Sequence, residues 1–223
     1  MKRWFSKFLL ITLASGSLTN VAGAAEIDRP QPAIQKKNTD NLQQYVVFDL
    51  NPRYHRDPPV CAVIRPADVK SASSVLAPLV DVAVATHAAG YLERVIAPRQ
   101  RDRLVRKLAV DLNHPGDQLV FARSTGCRAV LTWRLIEATQ TYAVSLSTRR
   151  VGLELVLRRF DQAEPLWQAQ HIAERSDGGL SLNPFGLLID SVRAGRFNAN
   201  RDIMPSMIHD VVRRMLTTLP PTI

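Results

Sequence analysis

Apolar and polar positions along this chain follow two kinds of pattern, and the place where they change divides a sheet into two halves. Val60-Cys61-Ala62-Val63-Ile64 is apolar at every position and bounded by prolines. A short run without alternation reads as a strand buried on both faces. Ser71, Ser73 and Ser74 then precede a helical pattern. Its stripe is Val75, Leu79, Val82 and Ala83, with Thr86 continuing it and Ala89-Gly90 ending it. Gly90 suits a left-handed C-terminal position. Pro78 either sits in the first turn or restricts the helix to its later part. Arg94-Val95-Ile96-Ala97 predicts a second strand. Pro98 opens a second helix with Leu104, Leu108 and Leu112 spaced by four, and a further turn from Gln118 to Arg123 ends at Gly126. Cys127 to Trp133 is a third strand. Strand, helix, strand, helix, strand predicts a parallel sheet with right-handed crossovers.

After Trp133 the pattern alternates. Val151, Leu153, Leu155 and Leu157 are interleaved with Gly152, Glu154, Val156 and Arg158. Alternation marks a strand with one face in a core. Whether Thr141 to Phe160 holds one strand or two is left open by the pattern. Asp161-Gln162-Ala163-Glu164 reads as a hairpin turn, and Leu166 to Ile172 as the returning strand. Ser176-Asp177-Gly178-Gly179 breaks the pattern. Asn183-Pro184 starts a helix with Phe185, Leu188, Ile189 and Val192 on its stripe and Gly195 closing it. The last helix runs from Met204 to Leu219, with Ile208, Val211, Val212, Met215 and Leu219 on its core face. Tyr45 to Phe48 forms a short strand ahead of these elements. The fold class is therefore α/β: a three-layer-type mixed sheet, with a parallel βαβαβ half, an antiparallel hairpin and extra C-terminal helices. One domain is expected over residues 45–223.

The start of the chain adds a destination. Lys2, Arg3 and Lys7 precede an apolar run from Phe8 to Leu13, and Ala22-Gly23-Ala24 supplies small residues at a cleavage site. Residues 1–24 are read as a secretory signal cut after Ala24, with cleavage after Ala25 or retention as an anchor helix as alternatives. Gly16 and Asn20 make a poor spanning helix. No cysteine stands at the cleavage site to carry a lipid. Residues 25–44 are polar, carry Pro30 and Pro32, and read as a flexible arm. The expected location is the periplasm. The 223 residues carry a formal charge of +9, and removal of residues 1–24 leaves 26 basic against 20 acidic residues, or +6. Export argues against nucleic acid as the partner. The charge points to an anionic lipid surface, lipopolysaccharide or an acidic protein, or to a solvated face.

Export also bears on the two cysteines. Cys61 and Cys127 begin the first and third parallel strands, which are often neighbours in a doubly wound sheet. A Cys61–Cys127 disulfide is expected, closing a loop of 66 residues. Chain entropy alone gives such a loop about 4 kcal/mol. The alternative is two buried thiols packed as small apolar groups.

Chemistry is sparse. His55, His87, His114, His171 and His209 include no pair at i, i+4, and none has a cysteine at metal-ligand spacing. His87 near a helix end reads as a partner of carbonyls or of the helix dipole. No Gly-x-Ser-x-Gly elbow or Gly-Lys-Thr/Ser phosphate loop occurs. Nothing in the spacing favours His171, Ser176 and Asp177 as a catalytic set. No catalytic residue, metal or cofactor is expected. The densest segment is Glu174, Arg175, Ser176, Asp177, Gly178 and Gly179. It reads either as a recognition loop, with glycines turning backbone amides toward a partner, or as a strand exit and turn. The densest basic cluster is Arg99, Arg101, Arg103, Arg106 and Lys107.

The layout resembles a known group of envelope proteins. Val60-Cys-Ala-Val-Ile-Arg-Pro66 followed by helix, strand and helix is similar to the N-terminal domain of TolB and to CsgG-like and LpoB-like proteins. Cys127-Arg-Ala-Val-Leu-Thr-Trp-Arg-Leu135 resembles their third strand, and Glu164-Pro-Leu-Trp167 their later hairpin. The segment from Arg175 to Pro184 is similar to one in uncharacterised proteobacterial exported proteins. The resemblance covers Val60 to Ile172 and brings no catalytic motif. It implies a non-enzymatic adaptor in envelope assembly or transport; the surface expected to contact another envelope protein is the loop Glu174 to Leu182 and the adjoining helix. The chain departs from the group in lacking a lipid-bearing cysteine and in adding C-terminal helices. A second reading binds anionic lipid or lipopolysaccharide through the basic cluster, and a third is a hydrolase whose pocket the sequence does not show. The oligomeric state is not legible.

Overall fold

The computed structural model describes residues 45–143, 146–178 and 202–222. The helix expected from Asn183 lies outside these residues, as do the signal segment and the arm. Three strands form the parallel part: β2 (Cys61–Pro66), β3 (Arg94–Ile96) and the start of β4 (Ala129–Ala143). β2 lies in the middle, with Ala62 opposite both Val95 and Ala129. The antiparallel part continues from β4 through β5 (Leu146–Arg159) and β6 (Trp167–Gly178) to β1 (Val47–Leu50). The strand order is β1-β6-β5-β4-β2-β3. The open question of one strand or two resolves as two: β4 ends at Ala143 and β5 begins at Leu146.

The helices are numbered α1 (Arg53–Arg56), α2 (Val69–Ala72), α3 (Ala77–Ala88), α4 (Pro98–Leu108), α5 (Pro115–Thr125) and α6 (Ile203–Leu216). Their ends follow local chemistry. The Asp68 carboxylate accepts the Ser71 amide at 2.6 Å and caps α2. Proline opens α4 and α5 in the first turn, where the missing N–H costs nothing. Gly126, at φ 69°, closes α5 in the left-handed conformation that suits a residue without Cβ. The expected turn from Gln118 to Arg123 is thus a full helix.

Two cores share β2, which is why Cys61 to Ile64 are apolar without a break. Ala62 and Ile64 face a large core under α3 and α6, together with Trp133, Leu153, Leu155 and Trp167. Cys61 and Val63 face a smaller one under α4 and α5, with Ile96, Val130, Phe121 and Phe160. On β5 only Val151, Leu153, Leu155 and Leu157 enter the large core. The opposite face there is polar: Arg134 donates to Glu154 at 2.8 Å, as does Gln170. Among the described residues the sheet is therefore three layers deep over its parallel half and two layers deep over its antiparallel half.

The expected disulfide is present. Cys61 and Cys127 are bonded, with Cα atoms 5.2 Å apart, because β2 and β4 are parallel neighbours that begin at the same end of the sheet.

Two expectations about α3 are corrected. Its buried face is Ala77, Val80, Ala83, Val84 and Ala88, while Val75 and Val82 are 91% and 57% exposed. Alanine, valine and leucine fill most of the helix, so several stripes are nearly equal in hydrophobicity, and packing against β2 and α6 chooses among them. Gly90 is not left-handed. The helix ends instead through a tightened turn in which the Gly90 amide donates to His87 at 3.2 Å.

Candidate functional site

The chain leaves β2 for α2 and α3 on one face of the sheet and leaves β3 for α4 and α5 on the other. A crevice opens at the carboxyl ends of strands where such a reversal occurs. Here it is divided by Arg101. Its Nη1 donates to the Ile64 carbonyl at 2.6 Å, its Nε to Asp102 at 2.8 Å, and its Nη2 lies 3.9 Å from Asp81. Asp81 is the one acidic residue of a helix that is apolar but for Thr86 and His87 near its end, and its Oδ1 accepts the Trp133 indole N–H at 2.6 Å. Burial holds its carboxyl above the usual range, against the opposing pull of Trp133 and Arg101.

On one side of Arg101 lies an apolar groove of about 720 Å³. Ala77, Pro78, Val82 and Ala85 of α3 form one wall, Ala97, Pro98 and Arg99 the other, and Asp81 its polar base. On the other side lies a smaller, polar recess of about 250 Å³ between Arg65, Asp68, Asp111 and Asn113. Arg65 spans it, donating to the Leu112 carbonyl and, at 2.7 Å, to Asn113. Burial lowers the affinity of Arg65 for its proton, and Arg158 and Arg101 add to the effect. Acids and cations alternate around this recess, so it has no single sign to offer a ligand. The groove holds hydroxyls at Ser74 and Thr86 and one carboxyl engaged by Trp133. It provides apolar contact area and one polar anchor, which suits binding.

The residues singled out in the sequence lie elsewhere. Glu174 to Gly178 are not a loop. They continue β6, paired with β5 down to Leu146 opposite Gly178. The ladder overrides the breaking tendency of Ser-Asp-Gly. Gly179 lies outside the described residues. Glu174 accepts from Arg150 at 2.8 Å and Arg175 donates to Ser206 of α6 at 3.1 Å, so the two neighbours act on different partners. The same ladder places Ser176 on the opposite face from His171, which is buried opposite Leu153. Of the basic cluster, Arg99, Arg103, Arg106 and Lys107 are exposed on α4, at i, i+4, i+7 and i+8. Arg101 is turned inward with its side chain 14% exposed, and leaves the cluster for a structural role. No group of three or more histidine, cysteine, aspartate or glutamate residues is arranged to hold a metal among the described residues.

Sequence reasoning missed the groove because it is made by two helices on opposite faces of the sheet. A lone aspartate in an apolar helix was the available signal. It missed also that His87 meets His209 of α6, 122 residues later, with their ring nitrogens 3.2 Å apart.

No protein-family model matches the chain and no curated protein matches it. Among solved structures it is similar to a variant of the PelC dodecamer from Paraburkholderia phytofirmans, at 17% identity over 78% of this chain and 98% of that one, with a TM-score of 0.42. It is similar to the lipoprotein GNA1162 from Neisseria meningitidis, at 19% identity over 64% and 100% of the two chains, with a TM-score of 0.37. The hypothetical protein CT253 from Chlamydia trachomatis is 12% identical over 72% and 95%, with a TM-score of 0.38.

Proposed function

We propose that the chain is an exported, periplasmic, non-enzymatic protein that captures an apolar segment of another envelope protein. The observation that carries this reading is the groove between α3 and the start of α4. Its walls are small and apolar, and Val82, which lines it, is 57% exposed, with Val75 just before α3 also open to solvent at 91%. Exposed apolar residues gathered at a groove mark an interaction site more often than single ones elsewhere. Asp81 at the base and Arg99 at the rim give the segment one polar contact of each sign. The disulfide supports an oxidising compartment.

Photo-crosslinking in cells tests this directly. A photoreactive residue at Val82 is expected to trap one dominant envelope protein, and one at Leu119 on α5 to trap none. With the probe kept at Val82, Thr86→Asp beside it in the groove is expected to abolish the adduct while shifting stability by no more than about 0.5 kcal/mol. An identical adduct pattern from both positions would sink the reading. The strand end carrying Glu174, Arg175, Ser176, Asp177 and Gly178 is proposed as a second contact. Loss of the adduct on joint Arg175→Ala and Asp177→Ala replacement, with the thermal midpoint unchanged, is its expected signature.

One observation favours a second reading. Arg99, Arg103, Arg106 and Lys107 form one continuous exposed face of α4. Cations near an anionic bilayer contribute about 1 kcal/mol each, screened by salt. Flotation with phosphatidylglycerol vesicles at low salt, lost at high salt and with Arg103→Glu, is the result expected of a lipid-facing helix.

A further inference from the structure

We infer that His87 and His209 form a two-histidine site for a tetrahedral divalent metal ion of the zinc type. The two rings meet across the seam between α3 and α6. Nε2 of His87 and Nδ1 of His209 are 3.2 Å apart, with ring planes crossing at 73°. Two imidazole nitrogens bound to one tetrahedral zinc at their usual bond length lie about 3.3 Å apart. Two neighbouring nitrogens on a square or octahedral ion lie closer, at about 2.9 Å. The observed separation therefore fits the tetrahedral ion. It also fits a direct N–H···N hydrogen bond, whose proton lies between the two nitrogens, whereas a metal bound to both would sit about 1 Å to the side of that line.

The surroundings hold the pair in position. Val84 and Ala88 flank His87, and Ile208 and Val212 flank His209; all four are fully buried, so both backbones are fixed by packing. Both histidines are partly buried and keep some access to solvent, from which water would fill the remaining two metal positions. Ligation at these atoms places the ring protons on Nδ1 of His87 and Nε2 of His209. A metal needs neutral imidazole. Arg213, one turn beyond His209, opposes a cation. It is drawn aside by Asp210, whose carboxylate accepts from Arg213 at 2.6 Å and from Arg214 at 2.8 Å.

Titration of the purified, tag-free protein with zinc chloride tests the site, followed by calorimetry and by the histidine ring signals in NMR. One zinc per chain is expected, with shifts confined to the His87 and His209 rings and no response to magnesium. His87→Ala or His209→Ala is expected to weaken binding at least about tenfold. Arg213→Gln is expected to tighten it. Should either alanine variant fail to fold, the ring shifts of the unaltered protein decide. No zinc uptake, shifts at His55 or His114 alone, or full binding by the double alanine variant would overturn the proposal and leave the contact a hydrogen bond.

Discussion

On one face of the sheet, α3 and α6 lie over Ile64, Trp133, Leu153, Leu155 and Trp167, all fully excluded from solvent. On the other, α4 and α5 cover only the parallel half, and α4 buries none of its residues completely. The first face is held by apolar area. The second has less of it and is tied down at points: the Cys61–Cys127 bond, Arg101 on the Ile64 carbonyl and Arg65 on the Leu112 carbonyl. The difference shows how one sheet tolerates unequal covers. It also explains how α4 can show four cations to solvent and bury none of its residues completely.

The sharpest way to break this comparison is to remove the covalent tie. Joint replacement of Cys61 and Cys127 by serine opens a loop of 66 residues and is expected to cost about 4 kcal/mol, read from the denaturant midpoint. A loss below about 1 kcal/mol would mean that the thin face is self-sufficient. Next comes a matched pair of truncations. Leu153→Ala on the thick face should cost about 3 kcal/mol, whereas Val105→Ala on α4, only partly buried, should cost about 1 kcal/mol. Equal losses would erase the distinction.

A smaller effect probes the polar side of the antiparallel half. A Cβ on Gly152 would approach Ile172 Cγ1 to 2.9 Å and the Glu137 backbone nitrogen to 3.4 Å, beside the irregularity of β4 at Leu135 and Glu137. Gly152→Ala is expected to cost about 1–2 kcal/mol by overpacking. The smallest effect depends on pH. Tyr54 belongs to the thick face and donates its hydroxyl to the Pro220 carbonyl at 2.5 Å, pinning the chain beyond α6. Burial pushes its pKa up to about 12. An unfolded tyrosine ionises near pH ~10. Its contribution is therefore complete below that pH and is lost as the pH climbs toward about 12. Alkaline unfolding followed with and without Tyr54→Phe should show this window flatten in the variant.

How much was legible depends on how local each cause was. The both-sided strand, buried from Cys61 to Ile64 with Val60 left half-exposed before it, the alternation from Val151 to Leu157 and the stripe from Ile208 to Leu219 carry their roles in their own spacing. Each is found where it is expected. The length of β6 was not legible, because Ser-Asp-Gly is a turn signal on its own and a strand only beside β5. Candidate site residues fared likewise. The spacing shows five cations near α4, and only the fold turns Arg101 away from the other four.

The sequence by itself determined the alternation of strand and helix from Cys61 to Trp133 and the parallel-to-antiparallel change, and pointed to the cysteine pairing, since these follow from periodicity, chain order and strand adjacency. The tertiary structure alone decided which stripe of α3 is buried, that Asp81 and Arg101 divide a crevice, and that His87 meets His209. Each of these joins residues from elements distant along the chain. Several stripes, rotamers and partners are nearly equal in local energy, and only close packing of the whole selects among them.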